Sequence, residues 1–204
     1  MTSRLGPVVG FDLDLTLIDV RPAMTELFAR LSREFGVELD GEHFAANLGP
    51  PLPDVIRAYG FDEELVERLV ARFRELYPAT AIPVTTMMPG AAAALDAVRA
   101  ADGSTLIVTG KYERNAALHI EALGWEIDRL RGDAFGADKG AVLAECGADV
   151  YVGDHVGDVR GAKVAGALAV AVATGPHDAD TLVEAGADVV LGDLTEFPDW
   201  LKTR

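Results

Sequence analysis

Residues 7–17 read PVVGFDLDLTL, and the expected fold is built outward from them. Pro7 to Leu13 (PVVGFDL) is a short apolar run ending in acids. Such a run, without polar alternation, is the pattern of a strand buried in a parallel sheet. Two carboxylates then follow at a spacing of two, Asp12 and Asp14, with Thr16 just beyond. In a continuing strand, residues two apart share a face, so these acids would crowd each other. Burying two like charges requires a shared cation or a retained proton. A metal meets the first condition and a general acid the second.

Downstream of this run the pattern changes. Pro22 to Phe35 carries apolar residues at helical spacing, with Pro22 in the first turn and Gly36 past the end. Asp54 to Tyr59 and Asp62 to Leu76 read as further helices separated by Gly60, and Leu48-Gly49-Pro50-Pro51-Leu52 reads as a rigid loop. After Pro83 the chain alternates. Helices are expected at Pro89–Ala101, Glu113–Leu123, Asp138–Cys146, Gly157–Ala165 and Asp178–Ala185, with a closing turn near Glu196. Strands are expected at Ser104–Thr109, Asp149–Val152, Leu168–Val172 and Val189–Leu191, with a short edge strand within Ile127–Asp133. Alternating strands and helices imply right-handed crossovers, hence an α/β, doubly wound, Rossmann-like parallel sheet. The helical stretch of about 65 residues is too long for an ordinary crossover and reads as an inserted all-α cap. The expected division is a core of residues 1–18 and 86–204 and a cap of residues 19–85.

Composition narrows the partners. The chain has 204 residues, half of them apolar, enough for one core domain with a modest insertion. Its formal charge is −15, from 33 acidic and 18 basic residues. A surface that acidic repels nucleic acid and anionic membranes, so neither is expected as a partner. It also repels phosphorylated substrates, so a phosphate site must supply local positive charge. Cys146 is the single cysteine, which excludes an intramolecular disulfide and reads as a packing residue in a reducing cytoplasm. The first apolar run is broken by Asp12 and Asp14, so no signal peptide is expected; the longest uncharged stretch, Val164 to Pro176, is too short to span a bilayer. Oligomeric state is not legible.

In open parallel sheets ligands bind beyond the carboxyl ends of the strands. Four groups of polar residues fall there. They are Asp12 with Asp14, Thr109 followed by Gly110, Lys139 at the start of a helix, and GDHVGD, with Asp154 and Asp158 after the strand Val150 to Val152. An oxygen-rich grouping of Asp12, Asp154 and Asp158 suits a hard cation such as Mg²⁺.

Taken in this order, DxDxT, a strand-end Thr, a later Lys and GDxxxD resemble the haloacid dehalogenase superfamily over nearly the whole chain. The GPPL at Gly49 to Leu52 and the closing AGADVVL are similar to its phosphoglycolate phosphatase-like members. The resemblance implies that Asp12 attacks phosphorus, that Asp14 protonates the leaving alcohol and then activates water, and that the Asp14 backbone carbonyl reaches the metal. It implies that Thr109 and Gly110 hold phosphoryl oxygens, that Lys139 neutralises charge and orients Asp12, and that Asp154 and Asp158 serve Mg²⁺. The expected substrate is a small phosphorylated metabolite, phosphoglycolate first. Dehalogenases and phosphonatases do without the second acid, so Asp14 favours phosphoester chemistry. Sugar-phosphate mutases and nucleotidases remain as alternatives, as does a non-catalytic phosphoaspartate signalling or binding module. Leu15 stands where the family most often has glycine, an exchange expected to need only a small structural adjustment.

Several residues carry plainer readings. Lys111 rivals Lys139 for the phosphate, because it follows Thr109 and Gly110 directly. His155, inside the metal motif, reads as a solvated loop side chain, and His43, His119 and His177 as surface groups. Arg21, Asn47 and Arg57 are the first cap residues to test against substrate, although a surface or helix-packing role is the plainer one.

Overall fold

The structure, a computed structural model, describes residues 6–204. Pro7 to Leu13 supplies β1 (Val8–Phe11), buried along its whole length. Five more strands join it: β4 (Ser104–Val108), β5 (Arg129–Arg131), β6 (Val150–Gly153), β7 (Leu168–Val172) and β8 (Val189–Leu191). They form one sheet in the order β5-β4-β1-β6-β7-β8, and every pairing is parallel. The edge strand expected within Ile127–Asp133 is β5.

Side-chain alternation divides the interior in two. Val9, Phe11, Ile107, Val152 and Val170 face one core, and Leu106, Val108, Tyr151, Ala169 and Ala171 face another. Successive strand residues point to opposite faces, so a strand apolar at every position must be covered on both sides. The first core is filled by α1 (Arg21–Phe35), α5 (Ala91–Ala100) and α10 (Phe197–Leu201) among others. The second is filled by α7 (Ala137–Cys146), α8 (Val156–Ala165) and α9 (Ala179–Glu184). Cys146 is buried in this second core. The fold is a doubly wound α/β sheet with a mostly helical insertion in the segment between β1 and β4.

The insertion differs in detail from expectation. Besides α1, α3 (Leu52–Arg57) and α4 (Glu63–Thr80), it contains a short helix α2 (Gly41–Ala46). Asp40 starts α2 by accepting from the His43 N–H at 2.8 Å. Six residues with only Phe44 and Ala45 buried give too little periodicity to read. Helix α4 runs past Pro78 instead of stopping at Leu76. Pro78 gives up one i→i−4 hydrogen bond near the C-terminal end of the helix, a cost set against the burial of Leu76 and Tyr77. Two strands too short to show a pattern, β2 (Ile18–Asp19) and β3 (Thr86–Met87), pair antiparallel where the chain leaves the sheet and returns.

Leu15 adopts a backbone conformation that favours glycine. It sits at φ 60°, in the left-handed region, and its side chain is fully buried. Its N–H donates to the Ile18 carbonyl at 2.7 Å, and its own carbonyl accepts from the Thr174 hydroxyl. A left-handed residue with a Cβ costs about 1–2 kcal/mol. Truncating a buried leucine costs about 2–5 kcal/mol. Leu15→Gly is therefore expected to lower stability by about 1–3 kcal/mol, relief of strain offsetting only part of the lost packing. Urea unfolding of the two proteins checks this, and a variant more stable than the parent would show that strain dominates.

Candidate active site

The site is built where β1 stops. The Asp12 N–H still donates to the Val152 carbonyl at 2.8 Å, so the sheet register carries Asp12 to the carboxyl edge. The chain then turns through Leu15, and Leu17 and Ile18 both donate to the Leu13 carbonyl. Strand geometry ends before Asp14, although the charge of Asp12, after burial, still raises the Asp14 pKa. Each takes its own lysine: Lys139 Nζ lies 3.1 Å from Asp12 Oδ2, and Lys111 Nζ lies 2.9 Å from Asp14 Oδ2. Lys111 and Lys139 are thus both in the site, on different aspartates, rather than rivals for one place.

Asp12 is buried and its Oδ1 accepts from the Leu13 N–H at 2.8 Å. Burial pushes its pKa up, opposed by the charge of Lys139. Asp14 is also pushed up by burial, against the pull of Lys111. Its Oδ1 is buried and has no hydrogen-bond partner among the described residues. Burial alone would depress Lys139, but Asp12 and Asp158 more than offset this and hold it above the ordinary lysine value. Lys111 follows the same logic with Asp14 and the Tyr77 oxygen. Both lysines are therefore charged at neutral pH.

Thr109, one residue past β4, is buried; its N–H donates to the Arg131 carbonyl, and its Oγ1 accepts from the Lys111 N–H. A Cβ on Gly110 would come within 2.8 Å of the Gly49 carbonyl, so a bare backbone lets the Leu48–Leu52 loop close over this strand end. Asp154 follows β6, and its Oδ1 accepts from the Thr16 hydroxyl at 2.7 Å. Asp158 sits in the first turn of α8. Its Oδ1 accepts from Lys139 at 2.5 Å and its Oδ2 from the His155 N–H at 3.0 Å, so it caps the helix and faces the site together.

Asp12, Asp154 and Asp158 each bring a carboxylate oxygen within 4.8 Å of the others. Burial, then the charges of Asp158 and Asp12, push Asp154 well above the carboxylate range. Three buried acids against one buried lysine leave an excess of negative charge, and hard oxygen donors of this kind fit a divalent cation such as Mg²⁺. Gly175 keeps the cluster open: a Cβ there would overlap the Asp154 carboxylate at 1.8 Å from Oδ2. Its place in the loop after β7 gave no sequence signal.

Other sequence expectations change here. His155 is the N-cap of α8: its Nδ1 accepts from the Gly157 N–H at 2.9 Å, and its ring packs against Phe135 and His177. Half-burial and the neighbouring His177 lower its pKa to about 4. His119 is only 1% exposed and lies 2.9 Å from the Tyr77 hydroxyl, so it is no surface group. His177 is half-buried, and its Nε2 lacks a partner among the described residues, while His43 is exposed. Arg21 pairs with Asp19, Arg57 with Glu63 and Asp54, and Asn47 donates to the His43 carbonyl. None of these three lines the cavity that opens beside Asp14. That cavity, about 120 Å³, lies between the insertion and the sheet, with Tyr77, Lys111 and Asn115 among its walls.

Burial and the charge of Lys111 lower the His119 pKa to about 3. A histidine at its ordinary value in the unfolded chain and this low in the folded one binds more protons when unfolded. Its contribution to stability is present above about pH 6.5 and is lost as pH falls toward 3, by up to about 1.4 kcal/mol per unit. His119→Gln keeps an acceptor for Tyr77 without titrating. Between pH 7 and 5 it is expected to lose less stability than the parent in urea melts; parallel losses would place the acid sensitivity elsewhere.

Three comparisons bear on this geometry. The family described as haloacid dehalogenase-like hydrolase matches residues 9–163. The chain is 30% identical to a phosphoglycolate phosphatase of Chromobacterium violaceum, covering 95% of this chain and 96% of that one. It is 28% identical to a tyrosine-protein kinase, PtkA, of Mycobacterium tuberculosis, covering 90% of this chain and 67% of that one. A haloacid dehalogenase-like hydrolase from Streptococcus pneumoniae shares the fold at a TM-score of 0.81 and 21% identity, over 98% of this chain and 99% of its own.

Proposed function

The chain belongs to the haloacid dehalogenase-like hydrolase family, and from that premise we propose that it is a cytoplasmic phosphatase for a small phosphorylated metabolite, phosphoglycolate first. The observation that carries this reading is the pair Asp12, buried, and Asp14, half-buried, each with its own lysine, with one Asp14 oxygen unpaired. One acid is held for attack and the other is free to exchange a proton.

Asp12 attacks phosphorus in line, the ester P–O bond breaks, and the leaving alkoxide takes the proton of Asp14. Burial favours that protonated form of Asp14, as a general acid requires. Water then attacks the phosphoaspartate while Asp14, now ionised, takes its proton. The acyl–phosphate bond breaks, which returns Asp12 and releases inorganic phosphate. Splitting one hard displacement into two is the advantage of a carboxylate nucleophile. Thr109 and Gly110 position the phosphoryl oxygens, and Lys139 balances their charge while holding Asp12. Asp12, Asp154, Asp158 and the backbone carbonyl of Asp14 would hold Mg²⁺, which when bound neutralises these acids and the phosphoryl charge. Residues 19–85 act as a cap that excludes water and reads the leaving group.

Phosphate release from a panel of small phosphoesters, with Mg²⁺ and with EDTA, tests the reading. Metal-dependent release of free phosphate is expected, and it separates hydrolysis from transfer to a protein acceptor of the kind named for the mycobacterial relative. No release from any ester by folded protein with Mg²⁺ would overturn it.

A further inference from the structure

We propose that Tyr77, a residue of the helical insertion, is a positioning residue for the general acid. Through Lys111 it fixes which oxygen of Asp14 carries the proton given to the leaving group. This rests on the phosphatase reading and adds a residue that acts on Asp14 from the insertion without touching it.

The contacts form one chain. Lys111 Nζ pairs with Asp14 Oδ2 at 2.9 Å and donates to Tyr77 Oη at 2.6 Å, and His119 Nε2 lies 2.9 Å from the same hydroxyl. A lysine ammonium only donates, so Tyr77 Oη accepts from it, which leaves the tyrosine hydrogen for His119. His119, in α6 (Glu113–Leu123), is 1% exposed, as is Tyr77 in α4. The ammonium is therefore held between a residue of the insertion and the acid that follows β1.

Two further observations give this chain a role beyond packing. Lys111 occupies Oδ2 of Asp14, while Oδ1 is buried without a hydrogen-bond partner among the described residues. The transferable proton then belongs on Oδ1, and Asp14 lines the cavity where a leaving group would sit. The Tyr77 ring also packs against Phe73 and His119, with centroids 5.6 Å apart in each pair. Phenylalanine would bury as well, and a buried hydroxyl is unfavourable unless it is bonded. The hydroxyl is what reaches Lys111. Lysine is a point charge on a flexible four-carbon stem, and the acids Asp12, Asp154 and Asp158 share its site. Without Oη the ammonium is free to shift toward them, and Asp14 loses its fixed orientation.

Tyr77→Phe removes that oxygen and keeps the ring. The test measures kcat/KM in Mg²⁺ for 2-phosphoglycolate, glycerol 1-phosphate, phenyl phosphate and acetyl phosphate. In that order the leaving group depends less and less on a proton. Because kcat/KM covers steps up to the phosphoaspartate, its later hydrolysis does not enter. The expected loss is about tenfold to a hundredfold on the two alkyl esters and under about threefold on acetyl phosphate. Lys111→Met is expected to show the same graded pattern, and adding Tyr77→Phe to it to cost nothing more, because the tyrosine acts through that lysine. Urea melts check that each variant is folded in the assay. Equal losses on all four compounds, no loss on the alkyl esters, or losses that multiply in the double variant overturn the positioning role and leave the phosphatase reading standing. Release of phosphate from none of the four by the folded parent overturns both.

Discussion

Asp12→Asn is expected to lower kcat by about four orders of magnitude while leaving the fold in place. The substitution keeps the side-chain shape and an oxygen able to accept from the Leu13 N–H or from Lys139, the two groups that hold Asp12 now. It removes the nucleophile, because a neutral amide oxygen attacks phosphorus far more slowly than a carboxylate. Knocking out the nucleophile of an enzyme that works through a covalent intermediate costs losses of this order or larger. Stability should change little, since one of three close carboxylates loses its charge and self-repulsion eases. The check has two parts: phosphate release under saturating substrate, and mass spectrometry of acid-quenched protein for a phosphoryl adduct. Activity within tenfold of the parent would sink the covalent mechanism.

Lys139→Met is expected to be damaging in a second way. Lys139 is buried and lies 3.1 Å from Asp12 and 2.5 Å from Asp158, the one cation among three buried acids. Methionine fills a similar volume but leaves the carboxylates unpaired. Removing one partner from a buried ion pair costs about 3–5 kcal/mol, because the other charge stays buried without compensation. The same lysine is proposed to balance phosphoryl charge, so turnover should fall by about a thousandfold. The two effects separate in urea melts. In EDTA the variant should be less stable than the parent by several kcal/mol. Added Mg²⁺ should then stabilise the variant, because a cation that binds only the folded acids shifts the equilibrium by mass action. A variant as stable as the parent in EDTA would show that the acids are relaxed by other means.

Much of the fold could be read from local pattern. The apolar runs at Ser104–Val108 and Leu168–Val172 could only be strands covered on both faces, and the helices between them gave the doubly wound order. The candidate site was legible for the same reason. Each of Asp12, Thr109 and Asp154 stands one residue past a strand, and a parallel sheet brings all such positions to one edge. Where the reading fell short, the missing information was not local. Helix α2 and strands β2 and β3 are too short to carry a period. His119 looked like a surface group because its partner, Tyr77, is 42 residues away.

The sequence by itself determined which residues reach the carboxyl edge of the sheet, because strand period and strand ends are written in neighbouring residues. Only the tertiary structure decided how they pair. The strand stops at Phe11 and the backbone turns left-handed at Leu15, so Asp14 leaves Asp12 and meets Lys111 while Lys139 keeps Asp12. It also decided that Asn115 is buried against an open cavity beside that lysine. A lysine or an asparagine carries no local mark of its partner; that is set when distant helices pack and exclude water around it.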